Sequence, residues 1–251
     1  MTLQEFFAEN PRAAIAFSGG VDSSYLLYAA VQCGADVHAY FAKTAFQPQF
    51  ELDDAQRLAE SVGAKLTVLE LDALSSEDVA RNPANRCYYC KQNIFGNLKR
   101  AAAEDGFTLI LDGTNASDDA GDRPGMRALR EMDVRSPLRE CGLTKAEIRR
   151  LSHEAGLFTW DKPAYACLAT RVPIGEPITA EKLRAVERSE AFLFALGFTD
   201  LRVRLRDGGA LLQLPAAQHA AARALWPQIT AGLSEYFSTI QLDPKARAES
   251  E

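Results

Sequence analysis

Short apolar runs alternate with longer amphipathic segments along the first part of the chain. The apolar runs predict strands at residues 13–17, 37–41, 66–69 and 107–111, and the amphipathic segments predict helices near residues 23–33, 50–62 and 88–105. Gly34, Gly63 and Gly106 follow these helices, where a left-handed cap is expected. Strands that alternate with helices are typical of a parallel sheet covered on both faces. The pattern therefore predicts a doubly wound α/β domain, in which ligands bind beyond the carboxyl ends of the strands.

The pattern of positions changes after Pro177. Before it, residues 133–135 predict a short strand, and Thr144 with Glu147 forms a capping box that opens a further helix. After it come a predicted helix at 180–196, strands at 201–206 and 210–214, a helix near 216–225 and a strand near 237–242. Asp207-Gly208-Gly209 between two of these strands is typical of a hairpin turn. We therefore predict two domains, an α/β domain over residues 1–172 and a small C-terminal α+β domain over residues 173–251.

Composition and charge exclude several classes of protein. The chain has 251 residues, of which 47% are hydrophobic and 25% are charged, as is ordinary for a globular protein. Its formal net charge is −6, so no overall basic field attracts nucleic acid and we expect no nucleic-acid partner. We find no apolar stretch that is long enough to span a bilayer and no signal peptide at the first residues. We therefore expect a cytoplasmic protein without a membrane partner.

The first predicted strand is followed directly by a glycine-rich turn and then by a helix. The turn consists of Ser18, Gly19, Gly20, Val21, Asp22 and Ser23. Glycines let backbone N–H groups approach an anion, and a helix N-terminus adds unpaired donors and the positive end of its dipole. The spacing and the lysine of a Walker A loop are missing. An acid inside a phosphate loop repels its ligand unless Mg²⁺ lies between them, so Asp22 favours a site for a nucleotide with Mg²⁺ over an ordinary glycine turn.

A C-x-x-C motif lies at the start of the third predicted helix. Cys87 and Cys90 have Arg86 and Lys91 beside them, and both these cations and the helix N-terminus favour thiolates. By itself the motif fits zinc, redox chemistry or iron–sulfur ligation.

The other three cysteines stand alone in the sequence. Cys167 has Lys162 and Arg171 nearby, two cations that would favour its thiolate. Cys33 and Cys141 fit the more frequent role of a small buried hydrophobic residue. In a cytoplasmic protein we expect the five cysteines to be ligands, nucleophiles or core residues rather than disulfides.

Several short motifs follow one another over most of the chain. They are residues 18–24, 82–91, 112–115, 122–125, 134–138, 142–145 and 160–175. In this order they resemble the LarE family, the ATP-dependent sulfur transferases that make the nickel-pincer nucleotide cofactor. That family is part of the PP-loop ATP pyrophosphatases, so the resemblance implies an adenine-nucleotide-alpha-hydrolase-like fold. Single motifs of the set are shared with GMP synthetases and tRNA thiolases.

The resemblance implies that ATP adenylates a carboxylate of pyridinium-3,5-biscarboxylic acid mononucleotide, with release of pyrophosphate, before sulfur replaces oxygen. It assigns ATP and Mg²⁺ to the phosphate loop, where Asp22 is catalytic. The candidates for holding the adenylate are Asp112, Gly113, Thr114 and Asn115, while Arg123 and Arg127 are candidates for phosphate or the acyl-adenylate, with an exposed position that faces solvent as the alternative. The first four end a predicted strand beside the same crevice, although a plain turn explains Asp112-Gly113 equally well.

Two arginines of the C-terminal domain match the pair that the family uses on the phosphate of its substrate. Arg202 and Arg204 share one face of a predicted strand because they are two residues apart. Paired guanidinium groups suit a phosphate. A solvated strand face is the alternative.

Cys167 matches the sulfur cysteine of the family. In the sacrificial mechanism its thiolate forms a thioester, and cleavage of the Cβ–S bond leaves dehydroalanine and a thiocarboxylate. Members that also carry cysteines like Cys87 and Cys90 are thought to bind a [4Fe–4S] cluster through all three, with the fourth iron free for an extra sulfide. Since this chain has the three-cysteine set, we favour the cluster mechanism. The resemblance also implies nickel-pincer pathway enzymes as partners and a homo-oligomer, since family members form hexamers.

The chain departs from the family pattern at its C-terminus. The family commonly ends in Leu-Asp-Leu-x-Gly-Tyr-Arg, whereas this chain has a polar segment, residues 244–251, that we expect to fray. Glu190 aligns with a metal-binding acid of the family, but it lies on a helix of charges and we expect it to face solvent.

Three other functions compete with the sulfur transferase. A PP-loop tRNA thiolase also uses ATP and cysteines, but the net charge of −6 disfavours it. An amidating ligase like GMP or NAD synthetase leaves the cysteines unexplained. A non-catalytic ATP-binding or metallochaperone module does not need Asp22 together with Cys167.

Overall fold

A computed structural model describes residues 1–118, 121 and 123–248 of the chain. The α-helices are α1 (Leu3–Glu9), α2 (Val21–Gln32), α3 (Gln49–Ser61), α4 (Glu77–Ala80), α5 (Arg86–Glu104), α6 (Pro124–Glu131), α7 (Pro137–Glu140), α8 (Lys145–Glu154), α9 (Ala180–Ala195), α10 (His219–Ala224) and α11 (Trp226–Leu233). The strands are β1 (Arg12–Ala16), β2 (Asp36–Lys43), β3 (Lys65–Glu70), β4 (Ile110–Leu111), β5 (Arg202–Arg206), β6 (Gly209–Gln213) and β7 (Ile240–Leu242). Within this described part, every helix is too short or too polar to cross a membrane.

The chain folds into two compact units. The first unit comprises Met1–Ala73 and Asn85–Lys162, and the second comprises Leu74–Ala84 and Pro163–Glu251. The early segment joins the second unit because Asn82 accepts a backbone hydrogen bond from Gly175, and Ala80 accepts one from Ile178. The predicted boundary between residues 172 and 173 lies inside this second unit, and the division into domains stays a prediction.

A parallel sheet forms the centre of the first unit. Its strand order is β3-β2-β1-β4, and each neighbouring pair runs parallel. Side chains of successive strand residues point to opposite faces. Ala13 and Ile15 therefore pack into a core with α1, α2, α3 and α8, while Ala14 and Tyr40 pack into another core with α5 and α6. Both faces are covered by helices, and the prediction of a doubly wound α/β fold is confirmed.

The strand order places a topological switch point at the carboxyl end of β1. The chain continues from β1 to β2 on one side, whereas β4 joins β1 on the other side. The loops that follow β1 and β4 consequently leave the same edge of the sheet in opposite directions and open a crevice.

Several elements differ from the sequence prediction. The fourth strand covers only Ile110–Leu111, because Phe107 donates its N–H to Ala102 and closes the end of α5 instead. The predicted strand at 133–135 is a single bridge between Leu111 and Arg135. Helix α1 was not predicted, although Thr2 and Glu5 form a capping box there, and neither were α6 and α11.

The second unit is built on a small mixed sheet with the strand order β5-β6-β7. β5 and β6 form an antiparallel hairpin, while β7 pairs with β6 in parallel. Asp207 and Gly208 join the hairpin with φ angles of 49° and 75°, as two-residue hairpin turns require. Leu193 of α9 and Ile229 of α11 pack on this sheet. The predicted hairpin and the α+β character of this part of the chain are confirmed.

The C-terminal segment does not fray where the structure describes it, contrary to our expectation. The Arg247 N–H donates to Leu214 O at 2.9 Å, and its guanidinium lies 3.1 Å from Asp200. A buried backbone acceptor and a carboxylate therefore hold the segment, and residues 249–251 lie outside the described part.

We expect Thr144→Ala to lower the free energy of unfolding by about 1 kcal/mol. The Thr144 hydroxyl accepts the Glu147 N–H at 3.3 Å, and the Glu147 carboxylate accepts the Thr144 N–H at 2.9 Å, so alanine removes half of the capping box of α8. Urea denaturation followed by circular dichroism measures the change. Ser61→Ala at the end of α3 serves as the control and should stay within about 0.5 kcal/mol of wild type.

The effect of Thr144→Ala should shrink in acid. Hydrogen bonds from the Thr144 hydroxyl and N–H lower the pKa of Glu147 in the folded protein. Stabilisation by this carboxylate is therefore present above its unfolded pKa of about 4.3 and is lost as the pH falls through the lower folded value. An effect of Thr144→Ala that grows in acid would contradict this account of the cap.

Candidate active site

The loop between β1 and α2 turns sharply at Gly19. Its φ is +70°, and a Cβ there would lie 3.0 Å from Glu51 O and 3.2 Å from the Ala55 Cβ. Gly20 is different, since its backbone is extended at φ −82° and a Cβ would meet only the Ser18 hydroxyl at 3.5 Å. Only Gly19 is therefore required by the turn itself, while Gly20 keeps the start of α2 open.

Two serines hold the loop from inside. The Ser18 and Ser23 hydroxyl oxygens are 3.1 Å apart, and the Ser23 hydroxyl donates to Gly20 O at 3.2 Å. The structure gives α2 no side-chain cap among the described residues, so the first N–H groups of this twelve-residue helix face the loop. A helix N-terminus in this state is an anion-binding feature.

Asp22 lies in the first turn of α2 and has two different carboxylate oxygens. Its Oδ2 lies 2.7 Å from the Lys145 Nζ at the start of α8. Its Oδ1 is buried and has no hydrogen-bond partner within the described residues. A buried carboxylate oxygen without a donor, beside an anion-binding loop, is the kind of ligand that Mg²⁺ takes from a protein while phosphates and water supply the rest. The site therefore fits Mg²⁺.

A second ion pair lies on the other side of the loop. The Lys162 Nζ is 2.6 Å from Asp54 Oδ2 and 3.3 Å from Gly19 O. Lys162, which the sequence places near Cys167 as a cation, has Asp54 of α3 as an ionic partner. Nothing in the sequence pattern singled out Asp54, since an acid on an amphipathic helix usually faces solvent.

The loop after β4 lies against the start of α2. A Cβ on Gly113 would lie 2.8 Å from the Ser23 N and 3.1 Å from the Ser23 Cα, so only glycine fits. Asp112 accepts hydrogen bonds from the hydroxyls of Thr114 and Ser136, each at 2.6 Å. Asn115 Oδ1 accepts the Ser117 N–H at 2.8 Å. Asp112, Thr114 and Asn115 thus build the loop, and Gly113 brings it beside the phosphate loop.

Helix α5 begins with the C-x-x-C motif, as predicted. Cys87 is exposed and Cys90 is half-buried, and the Arg86 guanidinium lies 3.7 Å from the Cys87 Sγ. Burial lowers the pKa of Lys91, and this effect outweighs the opposite influence of the nearby Asp112 and Cys87. Among the described residues, no group of three or more histidine, cysteine, aspartate or glutamate side chains is arranged to hold a metal ion.

Arg123 is the N-cap of α6 and its side chain is exposed. Asp122, which belongs to one of the motifs of the sequence analysis, lies outside the described residues.

Cys167 precedes a short 3₁₀ turn, Leu168–Arg171, in the second unit. Its side chain is half-buried. Arg171 closes the turn and pairs with Glu190 of α9, with a distance of 2.8 Å between Nε and Oε1. Glu190 is only 1% exposed, so the expectation of a solvated carboxylate was wrong. The charged residues around it in sequence face solvent, whereas its own helix face packs on β5.

The two arginines of β5 are not equivalent. Arg202 is 4% exposed and donates to the backbone carbonyls of Leu201 and Ala164. Burial, together with the nearby Arg171 and Arg247, lowers its pKa to about 10, which leaves the side chain charged at neutral pH. The alternative of a solvated strand face is therefore wrong for Arg202.

Arg204 is half-buried on the same strand. It donates to Thr170 O at 2.7 Å and to Gln213 Oε1 at 2.6 Å. Burial and the neighbouring arginines lower its pKa as well.

The two remaining cysteines differ in how far they are buried. Cys141 packs on the core of the first unit, and burial raises the pKa of its thiol. Cys33 is exposed, so the expectation that it is buried was wrong. It is the C-cap of α2, where the chain turns away from the apolar face of the helix at Gly34.

Comparisons with known proteins agree with this geometry. The model of the asparagine synthase family matches residues 8–116, which contain the phosphate loop. An uncharacterized protein of Synechocystis sp. is 40% identical over 219 residues, covering 86% of this chain and 81% of that protein. The pyridinium-3,5-bisthiocarboxylic acid mononucleotide synthase of Lactiplantibacillus plantarum is 35% identical over 219 residues, covering 86% of this chain and 79% of that enzyme. An uncharacterized protein of Methanocaldococcus jannaschii is 30% identical over 205 residues, covering 82% of this chain and 77% of that protein.

The named relative is a LarE protein, and the similarity extends over both units of this chain. Together with the phosphate loop at the switch point of the parallel sheet, it shows that the chain belongs to the LarE family of PP-loop, ATP-dependent sulfur transferases.

Proposed function

We propose that this protein uses ATP to adenylate a carboxylate of pyridinium-3,5-biscarboxylic acid mononucleotide and then converts that carboxylate to a thiocarboxylate. The observation that carries the proposal is Asp22 at the start of α2, with one oxygen on Lys145 and the other buried without a partner among the described residues. The name of the Lactiplantibacillus relative supports the choice of substrate, since its product is the corresponding bisthiocarboxylic acid.

The first unit would carry out the activation step. The substrate carboxylate attacks the α-phosphorus of ATP, and pyrophosphate leaves with the bonding electrons. The α2 N-terminus and the loop of Ser18, Gly19, Gly20 and Ser23 would bind phosphate oxygens through N–H and O–H donors. Mg²⁺, held by Asp22, would supply positive charge to the phosphates when bound. Lys145 is close enough to the same carboxylate to add a second positive charge beside the leaving group.

The loop after β4 would border the adenylate. The contact between Gly113 and Ser23 supports this role of the loop, because the two loops lie so close together that no side chain fits between them. Asp112, Thr114 and Asn115 would act mainly by holding the shape of that loop, and Arg123 would offer a cation from the start of α6.

The second unit would supply Cys167 for the sulfur step. In the sacrificial route the thiolate attacks the acyl carbon and AMP leaves, which gives a thioester. A base then removes the Cα proton of Cys167, the electron pair forms the Cα=Cβ bond, and the thiocarboxylate leaves with the sulfur. Arg202 and Arg204 would balance the charge of the substrate's phosphate from β5.

The alternative sulfur source is a [4Fe–4S] cluster with Cys87, Cys90 and Cys167 as ligands. Cysteine thiolates are the usual ligands of such clusters, and three of them leave one iron that can carry an additional sulfide. The C-x-x-C motif in the first turn of α5 supports this source, which we favour because the chain carries all three cysteines.

The same proposal includes the setting of the enzyme. We infer that it works in the cytoplasm as a homo-oligomer beside other enzymes of the nickel-pincer pathway. A tRNA thiolase is the nearest rival, and the net charge of −6 argues against a polyanionic partner of that size.

We expect Asp22→Asn to lower the rate of pyrophosphate release at least about a hundredfold, because the amide cannot replace a carboxylate toward Mg²⁺. Gly113→Ala should lower it about tenfold or more, since its Cβ would push the Ser23 backbone out of place. A coupled pyrophosphate assay measures both rates.

Gly96→Ala on α5 is the matched control for the glycine variant, because a Cβ there meets nothing within 4 Å. It should release pyrophosphate like wild type. Unchanged rates in Asp22→Asn would remove the proposed role of the phosphate loop.

We expect Cys167→Ser to release pyrophosphate but to form no thiocarboxylate, since the hydroxyl is a poor nucleophile and carries no sulfur. Mass spectrometry of the nucleotide product measures the outcome. Cys33→Ser removes an exposed cysteine and should leave the yield of thiocarboxylate unchanged. Thiocarboxylate formed by Cys167→Ser would exclude Cys167 as the consumed sulfur donor.

Iron and acid-labile sulfide in protein purified without oxygen distinguish the two sources. About four of each per chain, lost in Cys87→Ala and retained in Cys141→Ala, is the result that we expect for the cluster. A chain that takes up no iron on reconstitution, and whose intact mass falls by one H₂S after a single turnover, would instead identify Cys167 as the consumed donor.

A further inference from the structure

The segment that carries Cys167 is held by arginines through its backbone carbonyls. Arg171 Nη1 donates to Ala166 O at 2.7 Å and to Cys167 O at 3.4 Å, so one guanidinium nitrogen holds both carbonyls next to the Cys167 peptide unit. Arg202 donates to Ala164 O, and Arg204 donates to Thr170 O at 2.7 Å. All of these contacts lie within the second unit.

Arg171 is fixed in turn by Glu190. The Glu190 carboxylate accepts hydrogen bonds from the Arg171 Nε at 2.8 Å and from its Nη2 at 3.0 Å. The Arg171 side chain is 0% exposed and the Glu190 side chain is 1% exposed. Glu190 Oε1 also accepts the Val203 N–H at 2.8 Å, and Oε2 accepts the Tyr165 hydroxyl. The carboxylate thus has partners on the 3₁₀ turn, on β5 and on the segment before Cys167, and its orientation leaves the guanidinium a single position.

Burial by itself would lower the pKa of Arg171, but the hydrogen bonds and charge of Glu190 raise it above its usual value. Arg171 therefore keeps its positive charge at neutral pH. A buried ion pair is often no more stabilising than a pair of apolar side chains of the same volume. What it adds here is geometry, since a planar guanidinium with several donors fixes directions as well as distances.

We propose that the Arg171–Glu190 pair positions Cys167 for the sulfur step, an inference that rests on the proposed function. An acyl-adenylate has two fates. The Cys167-dependent step gives thiocarboxylate and AMP, whereas attack of water on the acyl carbon gives back the carboxylate and AMP. A fixed Cys167 carbonyl sets the direction of the Cα–Cβ bond and so limits the sulfur to the few rotamer positions about that bond. The pair therefore decides how much of the activated substrate receives sulfur, whether that sulfur comes from Cys167 or is bound beside it.

The readout is the amount of thiocarboxylate formed per pyrophosphate released, in reactions with pyridinium-3,5-biscarboxylic acid mononucleotide and ATP. Arg171→Lys keeps the charge but cannot hold both carboxylate oxygens and two carbonyls. We expect it to lower this ratio about tenfold or more while the pyrophosphate rate and the KM for ATP stay near wild type. Arg184→Lys on the exposed face of α9 is the matched control and should keep the wild-type ratio.

Two further variants separate positioning from folding. Thr170→Val leaves the ion pair in place but removes a hydroxyl that accepts from Arg171 at 2.9 Å and donates to Cys167 O at 2.9 Å. This half-buried change should fold and lower the ratio severalfold. The double variant Arg171→Met with Glu190→Gln removes both buried charges and keeps an oxygen that can accept the Val203 N–H. We therefore expect it to melt near the wild-type temperature and still transfer little sulfur.

Each outcome decides between the explanations. Folded variants with the wild-type ratio of thiocarboxylate to pyrophosphate would overturn the positioning role. Equal losses of pyrophosphate release and sulfur transfer would also overturn it, because they would indicate a general defect. Wild-type protein that releases no pyrophosphate with this nucleotide would instead refute the proposed function.

Discussion

The close approach of Gly113 to the start of α2 is the constraint on which the first unit depends. A parallel sheet with β1 between β2 and β4 sends two loops from one edge, and the loop after β4 can approach the Ser23 backbone this closely only if it carries no side chain at the contact. Gly113 makes this contact possible, and Gly19 lets the phosphate loop approach Glu51 O and Ala55 of α3 closely. The N–H groups at the start of α2 are thereby left facing a crevice instead of being covered.

Charge in that crevice is balanced before any ligand arrives. Asp22 pairs with Lys145, and Asp54 pairs with Lys162, so both lysines of the loop region have a carboxylate partner. In the proposed function Mg²⁺ would bind the buried Oδ1 of Asp22 while Oδ2 stays beside Lys145. Such a metal would give a physical reason for an acid inside a phosphate loop.

The second unit uses charge in another way. Its arginines are buried or half-buried and donate largely to carbonyls of their own chain, on the segment that contains Cys167. Glu190 compensates the most buried of them. In the first unit, backbone N–H groups are thus left available to a ligand. In the second unit, guanidinium groups donate to backbone carbonyls and thereby fix the conformation of a short segment. Reactive groups that must be presented in one direction benefit from that rigidity.

The sequence alone predicted the doubly wound sheet, α8 and the β5–β6 pair, because each depends on local features. These features are the order of apolar runs, the glycines after the helices, the capping box at Thr144 and the Asp-Gly turn of the hairpin. The phosphate loop was predictable for the same reason. Contacts between distant residues were not: Lys145 and Asp22 are 123 positions apart, and no periodicity pairs them. Glu190 looked solvated because its neighbours are charged, yet packing of α9 on β5 buried it against Arg171. Local sequence decides which elements form, and only tertiary packing decides which polar side chains lose their water and must find each other.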